Sequence, residues 1–276
     1  MKTPNHPDVY DSSRVAHPLY EELSALIAYR QLLIQFVARA IKTRYKRSVL
    51  GVAWTMLNPL LTMLVLSVVF SQLFRIQIKN FPVYVLSGQL IWIFFSNTTS
   101  SAMSDMLWSG DLIKRIYVPK SIFAVAAIGT GLLNLGISLI PLLLISHLLG
   151  VNLSLALLTW PLTILLLALY SLGLGLILTT ISIYFADMLP VYNVLLMIWL
   201  YATPVIYPLD IVPEQWLWIF HLNPMFYFVE AFRAPLLYQS TPGWEIWLPT
   251  IAFALSFVLF GGLIFTARSA DYAYRL

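Results

Sequence analysis

FVARAIKTRYKRSVLGVAWTMLNPLL, residues 36–61, decides how the chain is read. Arg39, Lys42, Arg44, Lys46 and Arg47 crowd into nine residues, and past Gly51 the segment carries no charge. A step that abrupt marks a chain leaving a charged, watery surface for hydrocarbon. Before the step, Leu33, Phe36, Val37, Ala40 and Ile41 fall on one helical face, and Gln31, Gln35, Arg39, Lys42 and Lys46 on the other. This spacing predicts an amphipathic helix over residues 31–49, lying in the headgroup layer with its basic face outward. Gly51 then lets the chain turn into a first membrane span.

Composition agrees with that reading. The 276 residues are 60% hydrophobic and only 10% charged, and the mean hydropathy is +0.82, far outside the soluble range. A bilayer core of about 30 Å needs roughly 20 apolar residues per helix. Six stretches qualify: residues 52–74, 83–103, 122–148, 155–184, 189–207 and 247–267. With the N-terminus inside, thirteen Lys and Arg fall on cytoplasmic segments and only Arg75, Lys79 and Arg233 outside. That asymmetry predicts a multi-pass protein of the plasma membrane with both termini cytoplasmic. Residues 1–30 are polar and lack an apolar h-region, so they read as a retained cytoplasmic segment. The net charge of +4 is concentrated near the spans, which points to topology rather than to nucleic acid.

The same residues exclude several chemistries. With no cysteine there is no disulfide, thiolate metal site or cysteine nucleophile. His6, His17, His147 and His221 show no ligand spacing, so no metal is expected. No Gly-Lys pair occurs, so the phosphate-binding loop of common ATPases is missing. The spans hold almost no ionisable side chains, which argues against an ion-coupled carrier and leaves another subunit to supply energy. A membrane glycan or acyl transferase would need paired catalytic groups, and neither Asp105 with Asp111 nor Glu230 with Arg233 resembles such a pair.

Three further segments stand out. Residues 105–120, DMLWSGDLIKRIYVPK, mix charge and apolar anchors and predict a small cytoplasmic helix before Pro119. Residues 208–244 lie outside yet carry Trp216, Trp218, Phe220, Phe226, Tyr227 and Phe228, which predicts short helices dipping into the outer leaflet or covering a pore mouth. Within the spans, Trp54, Trp92, Phe95, Tyr192 and Tyr201 either belong to interfacial and lipid-facing belts or line a passage where flat faces stack on sugar rings. Pro59, Pro141, Pro161 and Pro204 also sit inside spans, as kinks or as gating points.

Five blocks in order carry a family resemblance. They are RYKRSVLGVAWTMLNP with Arg44, Gly51, Trp54 and Pro59; FPVYVLSGQLIWIFF with Gly88 and Trp92; DLIKRIYVPK; TPVIYPLDIVPE with Pro204, Pro208 and Pro213; and HLNPMFYFVEAFR with Asn223, Pro224 and Arg233. Together they resemble the ABC-2 permeases that export O-antigen, capsule and teichoic acid. The resemblance implies an all-α polytopic membrane protein whose six-helix transmembrane domain occupies residues 50–276. It also implies a homodimer joined by two ATP-binding cassette subunits. ATP and Mg would be bound by those partners, and this chain would hold no cofactor and catalyse nothing itself.

On the same ground, residues 105–120 become a coupling helix, with Asp111, Leu112, Ile113, Lys114 and Arg115 docking into the ATPase. Residues 208–244 become external gate helices, with Trp216, Phe226, Glu230 and Arg233 as gate residues. In one place the chain departs from the pattern: many relatives have Arg-Asp in the turn after the fourth span, where Phe185, Ala186 and Asp187 stand here. Asp187 is expected to cap the fifth helix.

A polyprenyl-linked polysaccharide would bring a pyrophosphate to the cytoplasmic headgroup layer, within reach of Arg39, Lys42, Arg44 and Arg47. Helical phase puts Arg44 near Val37 on the apolar face, an unusual place for a merely solvated charge. Attraction to anionic membrane lipid is the competing explanation for these cations. An ABC-2 exporter of a drug or small lipid shares the same six-span plan and is the rival reading.

Overall fold

The computed structural model describes residues 18–46, 48, 50–70, 79–115, 118–185 and 187–275. Among them all regular structure is helical. Two helices precede the first apolar one: α1 (Pro18–Ala28) and α2 (Arg30–Tyr45). The chain then turns at Gly51, whose φ of +50° is left-handed and whose N–H donates to Ser48 Oγ at 3.0 Å. Two residues later α3 (Ala53–Val68) begins. There follow α4 (Phe81–Trp108), α5 (Gly110–Arg115), α6 (Ile122–Leu148), α7 (Trp160–Tyr184) and α8 (Met188–Tyr201). The chain ends with α9 (Leu217–His221), α10 (Pro224–Arg233), α11 (Trp244–Arg268) and α12 (Tyr272–Arg275).

All six apolar stretches are helical over most of their length, with bounds that differ in instructive ways. Among the described residues three helices are long and apolar enough to cross a membrane: Ile122–Leu148, Leu155–Tyr184 and Trp244–Arg268. Ala53–Val68 and Met188–Tyr201 are apolar but shorter. The fifth stretch was expected to run to residue 207, yet α8 ends at Tyr201 and an irregular segment follows. Pro204 lies in that segment and not inside a helix. Pro161 sits in the first turn of α7, where a missing N–H leaves nothing unpaired, so it starts a helix and does not kink one. Asp187 does occupy the N-cap position of α8, but its side chain makes no capping hydrogen bond.

Polar side chains inside these helices satisfy themselves on their own backbone. Thr98 donates to the Phe94 carbonyl, Thr99 to Phe95, Ser146 to Leu142 and Thr180 to Leu176, at 2.7 to 2.9 Å. Back-bonding of this kind keeps a hydroxyl tolerable in an apolar setting. Helix α4 is the axis of the bundle, packed by α3, α6, α7, α8 and α10.

Where those helices meet, rings fill the core. The Phe95 ring lies 5.1 Å from Trp199 and 5.7 Å from Tyr170, and Tyr170 lies 5.0 Å from Phe228 and 4.9 Å from Phe257. Trp92 joins this stack, and Tyr192 reaches it through a 2.8 Å hydrogen bond with Thr99. Trp92, Phe95 and Tyr192 are therefore buried within the chain, although Tyr192 keeps an edge on a shallow cavity beside Leu195 and Trp199. The cause is energetic: large flat rings gain most where several helices converge. Trp54 and Tyr201 stay exposed.

Helix α2 also differs from expectation. Its apolar stripe packs on α6, with Phe36 and Phe123 rings 5.4 Å apart, so the apolar face is spent on protein. Helix α1, unforeseen in the polar N-terminal segment, brings Glu22 to the start of α6. There its carboxylate accepts from Ser121 N at 2.9 Å and Ser121 Oγ at 2.7 Å.

Helices α7 and α11 approach most closely at Gly173 and Gly261. A Cβ on Gly173 would overlap the Phe257 and Val258 backbone, and one on Gly261 would overlap Gly173 itself. Small residues permit such contact between membrane helices. Gly261→Ala is expected to force the pair apart and cost about 1–3 kcal/mol, read as a lowered Tm in detergent. Gly136→Ala, at an open site on α6, should leave Tm unchanged or slightly raised.

Candidate functional site

Helix α3 begins, α4 ends and α6 begins at the same end of the bundle, beside α2. Two adjoining cavities of about 380 and 240 Å³ lie inward of that end, lined by α2, the first turns of α3 and the inner stretches of α4 and α6. They share Arg44, Asn97, Gly131 and Asn134. Helical spacing explains the shared wall: Phe94, Asn97, Ser101 and Asp105 recur every three or four residues down α4, as do Gly131, Asn134 and Ser138 on α6. Gly131 lets the two helices close, since a Cβ there would overlap Thr98 and crowd Phe94 at 3.1 Å. Trp54, Thr55 and Asn58 of α3 complete the larger cavity.

The cluster of cations is thereby sorted. Arg44, in the last turn of α2, lines both cavities, while Arg39 and Lys42 line neither, and all three are exposed. Arg47 lies outside the described residues. The amides of Asn58, Asn97 and Asn134 had no place in the sequence reading. Their signal was available, as amide side chains within three of the apolar stretches.

Beside this end lies α5, which carries Asp111, Leu112, Ile113, Lys114 and Arg115. Ile113 is buried and Leu112 half-buried, with Lys114 and Arg115 exposed. The buried side rests on a cluster that includes Val118, Ile122, Phe265 and Tyr272, so the chain's C-terminal turn supports α5. Tyr272 is fully buried, its hydroxyl 2.8 Å from Thr180 Oγ1 and 3.1 Å from the Phe265 carbonyl. Lys120 donates to the Ser269 carbonyl and faces the Tyr272 ring at 5.6 Å. Burial pulls the Lys120 ammonium below the usual lysine range, and the charges of Glu22 and Asp271 oppose that shift.

At the opposite end, α10 holds down the irregular segment that follows α8. Asn223 caps α10, its Oδ1 accepting from Met225 N at 3.0 Å and Trp199 Nε1 at 2.8 Å. Its Nδ2 donates to the Ala202 carbonyl at 3.0 Å and Thr203 Oγ1 at 2.8 Å. Ten residues on, Arg233 is fully buried. Its Nη1 donates to the Pro204 carbonyl at 2.6 Å, and its Nη2 to Val205 at 2.6 Å and Tyr84 at 3.1 Å. The guanidinium also stacks 3.6 Å from the Tyr84 ring centre. Gly88 makes room, because a Cβ there would overlap the guanidinium. The four residues assigned to an external gate are thus divided: Trp216 faces outward, Glu230 is half-buried, and Phe226 and Arg233 are core.

Residues 31–237, which include both ends of this arrangement, match the family described as ABC-2 type transporter. The chain belongs to that family. With its apolar helices, family membership makes it a multi-pass membrane protein. This ABC-2 chain is 31% identical over 250 residues to the O-antigen export system permease protein RfbA of Myxococcus xanthus, covering 90% of this chain and 96% of the relative. It is 27% identical over 208 residues to the polysialic acid transport protein KpsM of Escherichia coli, covering 72% and 78%. It is 23% identical over 230 residues to the capsule polysaccharide export inner-membrane protein CtrC of Neisseria meningitidis, covering 81% and 85%.

Arg233→Lys keeps the charge and loses the fork, leaving carbonyls of the ABC-2 chain's irregular segment unpaired. It should cost about 3 kcal/mol and make residues 202–244 the first site of protease cutting, at temperatures where the wild type resists. Equal resistance of variant and wild type would deny Arg233 its clamping role.

Proposed function

We propose that the chain is the membrane permease subunit of an ATP-driven exporter, moving a lipid-linked polysaccharide of O-antigen or capsule type across the inner membrane. The observation that carries this reading is a likeness spanning nearly the whole chain to permeases named for O-antigen and capsule export. Two copies of the chain pair with two cassette ATPases, which bind ATP with Mg and supply the energy. The excess of basic residues on one side of six spans supports a cytoplasmic position for both termini.

Each end of the bundle then has a task. Helix α5 docks on the ATPase: its exposed Lys114 and Arg115 flank a buried anchor, the chemistry of a small docking element. Arg44 takes the pyrophosphate of the lipid carrier, because a planar guanidinium can donate two parallel hydrogen bonds to phosphate oxygens. Arg39 and Lys42 attract anionic headgroups around it. Trp54 and Tyr201, exposed and aromatic, are the lining candidates that offer flat faces to a passing glycan. Helices α9 and α10, pinned by Asn223 and Arg233, cover the far side.

Deleting this chain should abolish surface polysaccharide while lipid-linked polymer accumulates inside. Normal surface polymer would reject the reading, and a drug-sensitive strain with normal polymer would favour a small-molecule exporter. Arg44→Gln should lower export about tenfold or more while the protein still co-purifies with its ATPase. Arg39→Gln should lower it less. Equal effects of the two changes would leave Arg44 no more than a surface charge.

A further inference from the structure

The cavity between α3, α4 and α6 carries more than a phosphate site needs, because besides Arg44 its mostly apolar wall holds three amides, Asn58, Asn97 and Asn134. Arg44 is the one cation among the described residues that line it, and Leu90 and Leu135 are part of the same wall as Asn97 and Asn134. A pyrophosphate gains nothing from aromatic and leucine walls, and an isoprenoid tail gains nothing from amides. Polar side chains among membrane helices are costly and mark a site.

The geometry points to this cavity as a sugar subsite, holding the first saccharides beyond the pyrophosphate through Asn58, Asn97 and Asn134. An amide carries both an acceptor oxygen and two N–H donors, which matches sugar hydroxyls that both give and accept. Three uncharged amides on three helices can grip a ring from several sides without the tight hold that would stall a moving polymer. Trp54 and Phe94 supply flat faces for the apolar side of a pyranose. Asp105, which lines the smaller cavity together with Arg44, adds an acceptor for sugar hydroxyls. At about 380 Å³ the larger space falls in the usual range of small-ligand pockets, about 300–1,000 Å³.

This inference rests on the export reading and on Arg44 as the headgroup's partner, and the test separates the three. The complex of this chain with its ATPase, in nanodiscs, is titrated with polyprenyl pyrophosphate and with the same lipid bearing one hexose. The wild type should bind the hexose-bearing lipid about tenfold more tightly. Asn97→Ala with Asn134→Ala should bring that ratio near one. Asn97 is exposed on α4, so Asn97→Ala alone is the variant that keeps the fold, and it should lower the ratio about threefold. A tenfold preference retained in both variants overturns the subsite and leaves the Arg44 site standing. Equal binding of the two lipids by the wild type does the same. Failure of the wild type to bind either lipid overturns the subsite together with the Arg44 site.

Discussion

Between Ala202 and Tyr207 the backbone leaves the helix inside a bundle built of apolar side chains, and its carbonyls must be paired by protein. Water is scarce in such surroundings, and each unpaired group costs energy comparable to a lost hydrogen bond. Asn223 takes Ala202, Arg233 takes Pro204 and Val205, and the Tyr84 hydroxyl donates to Tyr207 at 3.0 Å. Meeting that one demand fixes much else. It sets α10 against α4, requires glycine at position 88, and commits a buried guanidinium to structure. The aromatic stack of Phe95, Tyr170, Trp199 and Phe228 then fills the volume that α10 closes.

The other end of the bundle shows the opposite use of polarity. Asn58, Asn97, Asn134 and Arg44 line a cavity there, and near α10 the side chains of Asn223 and Arg233 pair with backbone. Their position depends on α2 lying against α6, where Val37 meets the α6 surface at Gly129, and on the close approach that Gly131 permits. The bundle is thus tied down on one side and left open on the other. A permease that admits a charged, hydroxyl-rich ligand from one face and keeps the other covered needs this asymmetry.

Much of the plan was legible because hydrophobic runs, lysine and arginine placement and Gly51 act locally. The turn at Gly51, the helical character of the apolar stretches and the short helix before Pro119 each follow from a few neighbouring residues. Helical phase alone separates Arg44 from Arg39 and Lys42, and of the three Arg44 is the one that lines the cavities, with its side chain as exposed as theirs. Roles that depend on tertiary contact were not legible. Arg233 counted as an outside charge until its carbonyl partners, 28 and 149 residues away in sequence, came into view. Trp92 and Phe95 have the composition of lining residues, and only the convergence of α4, α7, α8 and α10 shows them to be core. Tyr272 and Glu22 lie near the chain's ends, where nothing in the local pattern announces that they brace α5 and α6.

The most direct measurement is transport in proteoliposomes holding this chain, its cassette ATPase and a fluorescent lipid-linked glycan. Glycan should cross to the far side, shielded from added hydrolase, only when both subunits and ATP are present. Crossing without ATP, or with the ATPase alone, would contradict the assignment of this chain as the energised path for the polymer.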